Sequence, residues 1–246
     1  MNIDLNSIRD IPHEILEDLA KYDNLFLQAE STFELYDEWD LAQIVTALDR
    51  FCLKNRIIGL HYTRANKSSI LSKGLLLQSG NEFRQDFLAT HGHVFTSEEI
   101  VEIKKRWLSH FEESDENDRD LKIYFNFTDD SSATDQLLDM CGGEQVTMCF
   151  DNDGYCAISE KLSKIGEPLI IKCSIDPAQV NVREDQPWGR VLLSSYHKHV
   201  NPLVNRVDFD GFIRSPVSKN DIVEIITLTK RLRVIRNAWH FYCALV

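Results

Sequence analysis

Residues 56–75 read RIIGLHYTRANKSSILSKGL. The first half, RIIGLHYT, is short, apolar and rich in β-branched and aromatic side chains, which is the composition of a strand. The second half, ANKSSILSKGL, predicts a short helix ended by Gly74, since glycine commonly occupies the position just past a helix C-terminus. Side chains alternate along a strand, so His61 and Thr63 share one face while Leu60 and Tyr62 share the other. A lone strand histidine is ordinarily a satisfied polar group. The order of elements around this one gives it its interest.

Upstream, residues 1–55 read as helical. Pro12 opens an amphipathic piece, IPHEILEDLAKY, proline being well tolerated in a first helical turn. Ser31 and Glu34 have capping-box spacing ahead of a longer helix. Leu41, Ile44, Val45, Leu48 and Cys52 form its apolar face, which Trp39 would extend. This region is either a helical cap on the main domain or a partner-binding arm.

Downstream, Thr96 and Glu99 form another capping box before a helix with Ile100, Ile103, Trp107 and Phe111 on one face. An acidic connection, EESDENDRD (112–120), precedes KIYFNFT (122–128). That stretch alternates as a strand, with Ile123, Phe125 and Phe127 on one face and Tyr124, Asn126 and Thr128 on the other. SSATDQLLDMC (131–141) predicts a helix stopping at Gly142-Gly143, EQVTMCF (144–150) a strand, residues 156–165 a helix and PLIIKCSID (168–176) a strand. Residues 177–210 read as a looser segment, a candidate lid or acceptor loop. GFIRSPV, a polar turn and the strand IVEIITLTK follow. The expected class is α+β, divided into a helical region (1–55) and an α+β domain (56–246).

The chain has 246 residues, 43% of them hydrophobic and 27% charged, as in ordinary globular proteins. Its net charge of −12 is concentrated in residues 1–50, which hold twelve acids and three bases. Phosphate contacts dominate nucleic-acid affinity, so this balance argues against broad nucleic-acid binding while leaving room for a small basic pocket. No apolar run has membrane-spanning length and the acidic N-terminus is not a Sec leader. The six cysteines form no CxxC pair, so reduced thiols and a cytoplasmic setting are expected, with export as an effector without a cleavable signal left open.

Several motifs read as structure more readily than as chemistry. DNDG (151–154) fails as a calcium loop because Cys149 stands where an Asp would be needed. The pairs His91/His93 and His197/His199 have strand-like chelating spacing but no third ligand at a familiar distance. Cys141 beside two glycines has possible oxyanion donors but no evident base. A metal- or cysteine-dependent hydrolase built on these groups is the weakest of three functional readings.

The order strand with His61-Tyr62-Thr63, helix, Gly74-Leu75, strand with Tyr124, helix, Asp210-Gly-Phe-Ile-Arg-Ser-Pro-Val, closing strand resembles the ADP-ribosyltransferase fold of the His–Tyr–acid subgroup. The resemblance spans about residues 57–230 and leaves the N-terminal helices uncovered. It implies split mixed β-sheets with an N-terminal helical cap, NAD as substrate and transfer of ADP-ribose to a macromolecule. A protein is the favoured acceptor, and a bacterial toxin, effector or defence factor the favoured role. His61, Tyr124 and Asp210 would be catalytic. His61, Tyr62, Thr63, Arg64 and Tyr124 would bind NAD, with Arg64 at the pyrophosphate and a backbone N–H and C=O beside His61 holding the nicotinamide amide. No metal is implied. The family's usual acid is Glu; Asp210 is one methylene shorter, and Asp208 shares its face. A displacement on the scale of 1 Å costs roughly 100-fold in rate, so the same fold serving as a non-catalytic nucleotide- or protein-binding module is the second reading.

Overall fold

The computed structural model describes residues 1–36, 38–111, 120–130, 138–150 and 157–228. Its strands are β1 (Asn2–Ile3), β2 (Arg56–Ala65), β3 (Ile123–Phe125), β4 (Glu167–Ile175), β5 (Gly211–Ile213) and β6 (Ile222–Thr227). Its helices are α1 (His13–Ala20), α2 (Asp23–Gln28), α3 (Trp39–Leu53), α4 (Lys67–Lys73), α5 (Gly80–His91), α6 (Ser97–His110), α7 (Gly143–Thr147), α8 (Ala157–Leu162) and α9 (Pro187–Val200). The mixture of helices with small mixed sheets fits the α+β class.

The strands divide into two sheets. One has the order β1-β2-β4-β6, with β1 parallel to β2 and the other pairs antiparallel. The other is the antiparallel pair β3-β5, in which Tyr124 faces Phe212. The sheets meet where Leu60 and Asn126 exchange both backbone hydrogen bonds, at 2.8 and 3.0 Å. Gly74 adopts φ +79 and lies against the Val217 carbonyl, where a Cβ would collide. Leu75 and Val217 then exchange hydrogen bonds of 3.0 and 2.9 Å, tying the end of α4 to the turn after β5.

The N-terminal region is part of the main core. Ile3, Leu19, Phe26, Leu41, Leu48 and Cys52 pack in one cluster with Ile57, Phe125, Ile171 and Trp188. The apolar face expected for α3 is buried, but Trp39, its first residue, is 77% exposed and does not extend that face. Ser31 and Glu34 close a one-turn 3-10 helix (Thr32–Leu35) and do not cap α3.

Residues 177–210, expected to be loose, contain the most deeply buried helix. From Trp188 to His197 every side chain of α9 except Arg190 is buried. The Asp49 carboxylate accepts the Trp188 and Gly189 N–H groups at 3.1 and 3.2 Å and so caps the start of α9. Burial pushes the Asp49 pKa up while those two bonds pull it down. Gly189 lets α9 touch α3, since a Cβ there would overlap the Val45 carbonyl.

A second core lies among α5, α6, α7 and α8, built from Phe87, Phe95, Ile103, Trp107, Val146, Phe150, Ile158 and Leu162. The strand expected at 144–150 is helical: α7 runs into a 3-10 turn at Met148–Phe150. Val146 and Phe150 are four residues apart, so a helical path also turns both inward. The Trp107 indole N–H then reaches the Val146 carbonyl at 3.1 Å. The predicted helix at 131–141 and the DNDG turn fall largely or wholly outside the described residues.

Candidate active site at the seam between the sheets

His61 lies one residue past the Leu60–Asn126 bridge. Its Nδ1 is 2.9 Å from the Tyr124 carbonyl oxygen. A carbonyl can only accept, so Nδ1 carries the proton and the neutral ring presents Nε2 as an acceptor. Burial pushes the ring's pKa down, and the carbonyl bond opposes that more weakly. The ring also lies 5.8 Å from that of Phe125. Thr63 shares the His61 face and is half-buried.

The backbone of β2 adds donors and acceptors on the same edge. In an antiparallel strand successive residues direct their N–H and C=O to opposite neighbours. Leu60 directs its pair to Asn126, so His61 directs its pair to β4 and Tyr62 directs its own to the seam side. The Tyr62 side chain is on the reverse face, buried with Ile58, Leu60 and Ile170.

Tyr124 and Phe212 form a half-buried ring pair on the outer face of the β3-β5 sheet, with centroids 5.4 Å apart. Alternation places Asp210, one residue before β5, on that face, and Asp210 is exposed. Asp208 belongs to the same alternating set but is otherwise engaged. Its carboxylate accepts the Phe127 N–H at 2.8 Å, the Thr128 N–H at 3.1 Å and the Asn126 side-chain amide at 2.9 Å. Burial raises its pKa most, the three bonds lower it, and the neighbouring Asp210 charge raises it further. Geometry therefore separates the two acids: Asp208 fastens the end of β3, and Asp210 faces solvent.

Arg64 does not share the His61 face. It falls on the reverse side of β2 with Tyr62 and donates to the carbonyls of Ile165 (2.8 Å), Gly166 (3.1 Å) and Leu138 (3.4 Å). Two cations that sequence reasoning passed over lie at the ring pair. The Lys122 ammonium is 4.8 Å, and the Arg214 guanidinium carbon 5.4 Å, from the Phe212 centroid. Alternation over Lys122, Tyr124 and Asn126, matched against Asp210, Phe212 and Arg214, carried that information.

The remaining candidates separate from chemistry. His197 and His199 sit on a helix, where residues two apart point in different directions; His197 is fully buried and His199 is exposed. The His197 Nε2 meets the Phe26 carbonyl at 2.8 Å and its Nδ1 meets the Thr32 hydroxyl at 3.0 Å. His91 ends α5, and His93 follows in a short 3-10 turn. Among the described residues no three His, Cys, Asp or Glu side chains form a group able to hold a metal ion. Cys141 is buried, and burial pushes its thiol up to about 11, which disfavours the thiolate a nucleophile requires.

Compared with known proteins, the chain matches no family model, no curated protein and no solved structure. No helix among the described residues is long and apolar enough to cross a membrane.

Proposed function

We propose that the chain transfers ADP-ribose from NAD to a macromolecular acceptor, a protein in preference to a nucleic acid. The observation that carries this reading is the seam. It sets the His61 ring on the Tyr124 carbonyl, leaves Nε2 as an acceptor, and turns the Tyr62 backbone groups to the same edge. Two further arrangements support it. The split into two sheets is the architecture implied by the family resemblance. The Gly74-Leu75 and Pro216-Val217 motifs, 142 residues apart, lie together through the Leu75–Val217 bridge.

The roles follow from the chemistry of the groups. His61 Nε2 accepts a ribose hydroxyl hydrogen bond, and the Tyr62 N–H and C=O hold the nicotinamide amide. The Tyr124 ring stacks on the nicotinamide. The Asp210 carboxylate binds a second ribose hydroxyl and stabilises the positive charge that develops at C1′. The C1′–N bond to nicotinamide breaks and a bond from C1′ to the acceptor atom forms, with nicotinamide and one proton released. A toxin, effector or defence protein would use such a reaction to inactivate its target.

The experiment is incubation of the purified chain with labelled NAD and a cell lysate, alongside His61→Ala and Asp210→Asn. Transferase activity labels a lysate component, and the label is lost in both variants. Binding of NAD with no labelling, cleavage or release of nicotinamide under any lysate would favour the non-catalytic module. Labelling that survives both substitutions would overturn the assignment of the site.

A further inference from the structure

We propose that the cleft between α5 and α6 binds a small aromatic carboxylate. The site lies in the helical core, not at the seam, and does not depend on the donor reading above. The cleft encloses about 370 Å³, within the roughly 300–1,000 Å³ of small-molecule sites. Arg84 and Leu88 of α5 line it together with Lys104, Trp107 and Leu108 of α6 and with Phe111 just past that helix. On each helix these residues recur every three or four positions, so each helix presents one stripe to the cleft.

The lining has an apolar part and a cationic part. The Trp107 indole N–H is spent on the Val146 carbonyl at 3.1 Å, so its ring offers the cleft an apolar surface. Leu88, Phe111 and the 81% exposed Leu108 extend that surface. The charge comes from Arg84 and Lys104, and no Asp or Glu is among the described lining residues. In a chain of net charge −12 this is a local reversal of sign, which selects an anion. Arg84 is buried, with its guanidinium 4.5 Å from the Phe111 centroid and its Nη1 donating to the Gln145 side chain at 3.1 Å. A cation held in this way is oriented before any ligand arrives, and the parallel N–H groups of a guanidinium match a carboxylate. Lys104 is exposed and forms no ion pair among the described residues. Trp107 and Phe111 favour an aromatic partner over an aliphatic one. The α6 stripe from Lys104 to Phe111 rises only about 10 Å, a length that suits a small molecule better than a partner helix.

The test is calorimetric titration of naphthoate and its neutral analogue naphthamide into wild type, Lys104→Glu, Leu108→Glu and Arg84→Gln. Lys104 and Leu108 are exposed, so their variants should fold, and melting temperature checks all three. Wild type should bind naphthoate roughly tenfold or more tightly than naphthamide, the scale of a hydrogen bond to a charged group. Lys104→Glu and Leu108→Glu each add an anion at the cleft and should each weaken naphthoate about tenfold or more. Lys104→Glu should leave naphthamide unchanged. Arg84→Gln, where it folds, should lose the preference for the carboxylate. Bound naphthoate should raise hydrogen-exchange protection across residues 81–88 and 104–111. No binding of naphthoate to wild type up to about 1 mM overturns the inference. Equal binding of the two probes also overturns it, leaving an apolar surface without charge selection. So does a naphthoate affinity that both Glu variants leave unchanged. Protection of the same residues that rises with protein concentration in the absence of naphthoate would give the cleft to a second copy of the chain, and would overturn the inference as well.

Discussion

The two larger cores among the described residues are built in different ways. The main core joins residues far apart in sequence: β1 beside β2, β2 beside β4, and α9 against α3, with Asp49 and Gly189 fitting the last contact. The helical core around Trp107 draws on residues 83–111 and 140–165, and its helices begin with local devices. Ser79–Glu82 and Thr96–Glu99 are complete capping boxes at the starts of α5 and α6. Between the cores run a few straps, such as Arg64 on the carbonyls of Leu138, Ile165 and Gly166, and the Gly80 N–H on the Asp120 carboxylate at 2.6 Å. The seam and its candidate site belong to the main core. The candidate site therefore sits in the region held by non-local contacts, and the helical core is expected to loosen without opening it.

The strongest way to break this division is to damage each core separately. Gly189→Val pushes side-chain atoms into the Val45 carbonyl on α3, a backbone that cannot move aside cheaply. We expect a loss of at least about 3 kcal/mol in urea unfolding, with β2 amides losing protection in hydrogen exchange. Trp107→Ala removes a large buried ring and leaves the Val146 carbonyl without its donor. It should cost about 3 kcal/mol within the helical core and leave β2 protection near wild type. Equal loss of β2 protection in both variants would show that the cores unfold as one.

Acid sharpens the comparison inside the main core. His197 is buried as the neutral ring, donating from Nε2 to Phe26 and accepting at Nδ1 from Thr32, which pins α2 and the following 3-10 turn on α9. Burial is the largest influence on its pKa and lowers it; the backbone bonds and the Glu34 charge oppose that. A histidine depressed on folding stabilises fully above its unfolded value of about 6.5, and that stability is lost as pH falls toward the folded value. His61 is depressed in the same direction. Melting temperature should therefore fall as pH drops below about 6.5. His197→Gln should be less stable at neutral pH and show a shallower fall. A variant with the wild-type slope would remove His197 from the account.

The sequence disclosed different amounts of these two regions. The strand reading of 56–63, the end of α4 at Gly74 and the buried faces of α3 and β3 were all legible, because alternation, helical periodicity and a glycine stop are local signals. Those of α9 were not. Pro187 at its start was visible, but its side chains are buried nearly all round, so no polar face marked it as an amphipathic helix. The strand expected at 144–150 failed because a short apolar run fits either period, and its partner, Trp107, lies on another helix. The α5 helix went unread although Ser79 and Glu82 announce its start, since its sequence, GNEFRQDFLATH, is mostly polar. At the candidate site, the residue types on β2 and β3 were legible. The direction of Arg64 was not, for the carbonyls that hold it come from residues 74 to 102 positions away.

The gentlest probe uses the caps. In Thr96→Ala the Glu99 N–H loses its 3.2 Å acceptor, while the Glu99 carboxylate keeps the Thr96 N–H at 2.8 Å and the Lys161 ammonium at 2.5 Å. Only half of the box is removed, so the expected cost is about 1 kcal/mol, and Thr96→Ser should recover most of it. Ser79→Ala is the matching change on α5, where the Glu82 N–H loses its 3.3 Å bond and Glu82 still accepts the Ser79 N–H at 2.9 Å. If the helical core opens on its own, each substitution lowers protection across α5 and α6 together, because both pack on Phe87 and Trp107. The β2 and β4 amides would keep theirs. Protection lost only in the first turn of the substituted helix would mean that the caps govern fraying alone. Protection lost in β2 to the same extent would mean that the straps couple the two cores tightly, and that a disturbance around Trp107 reaches His61.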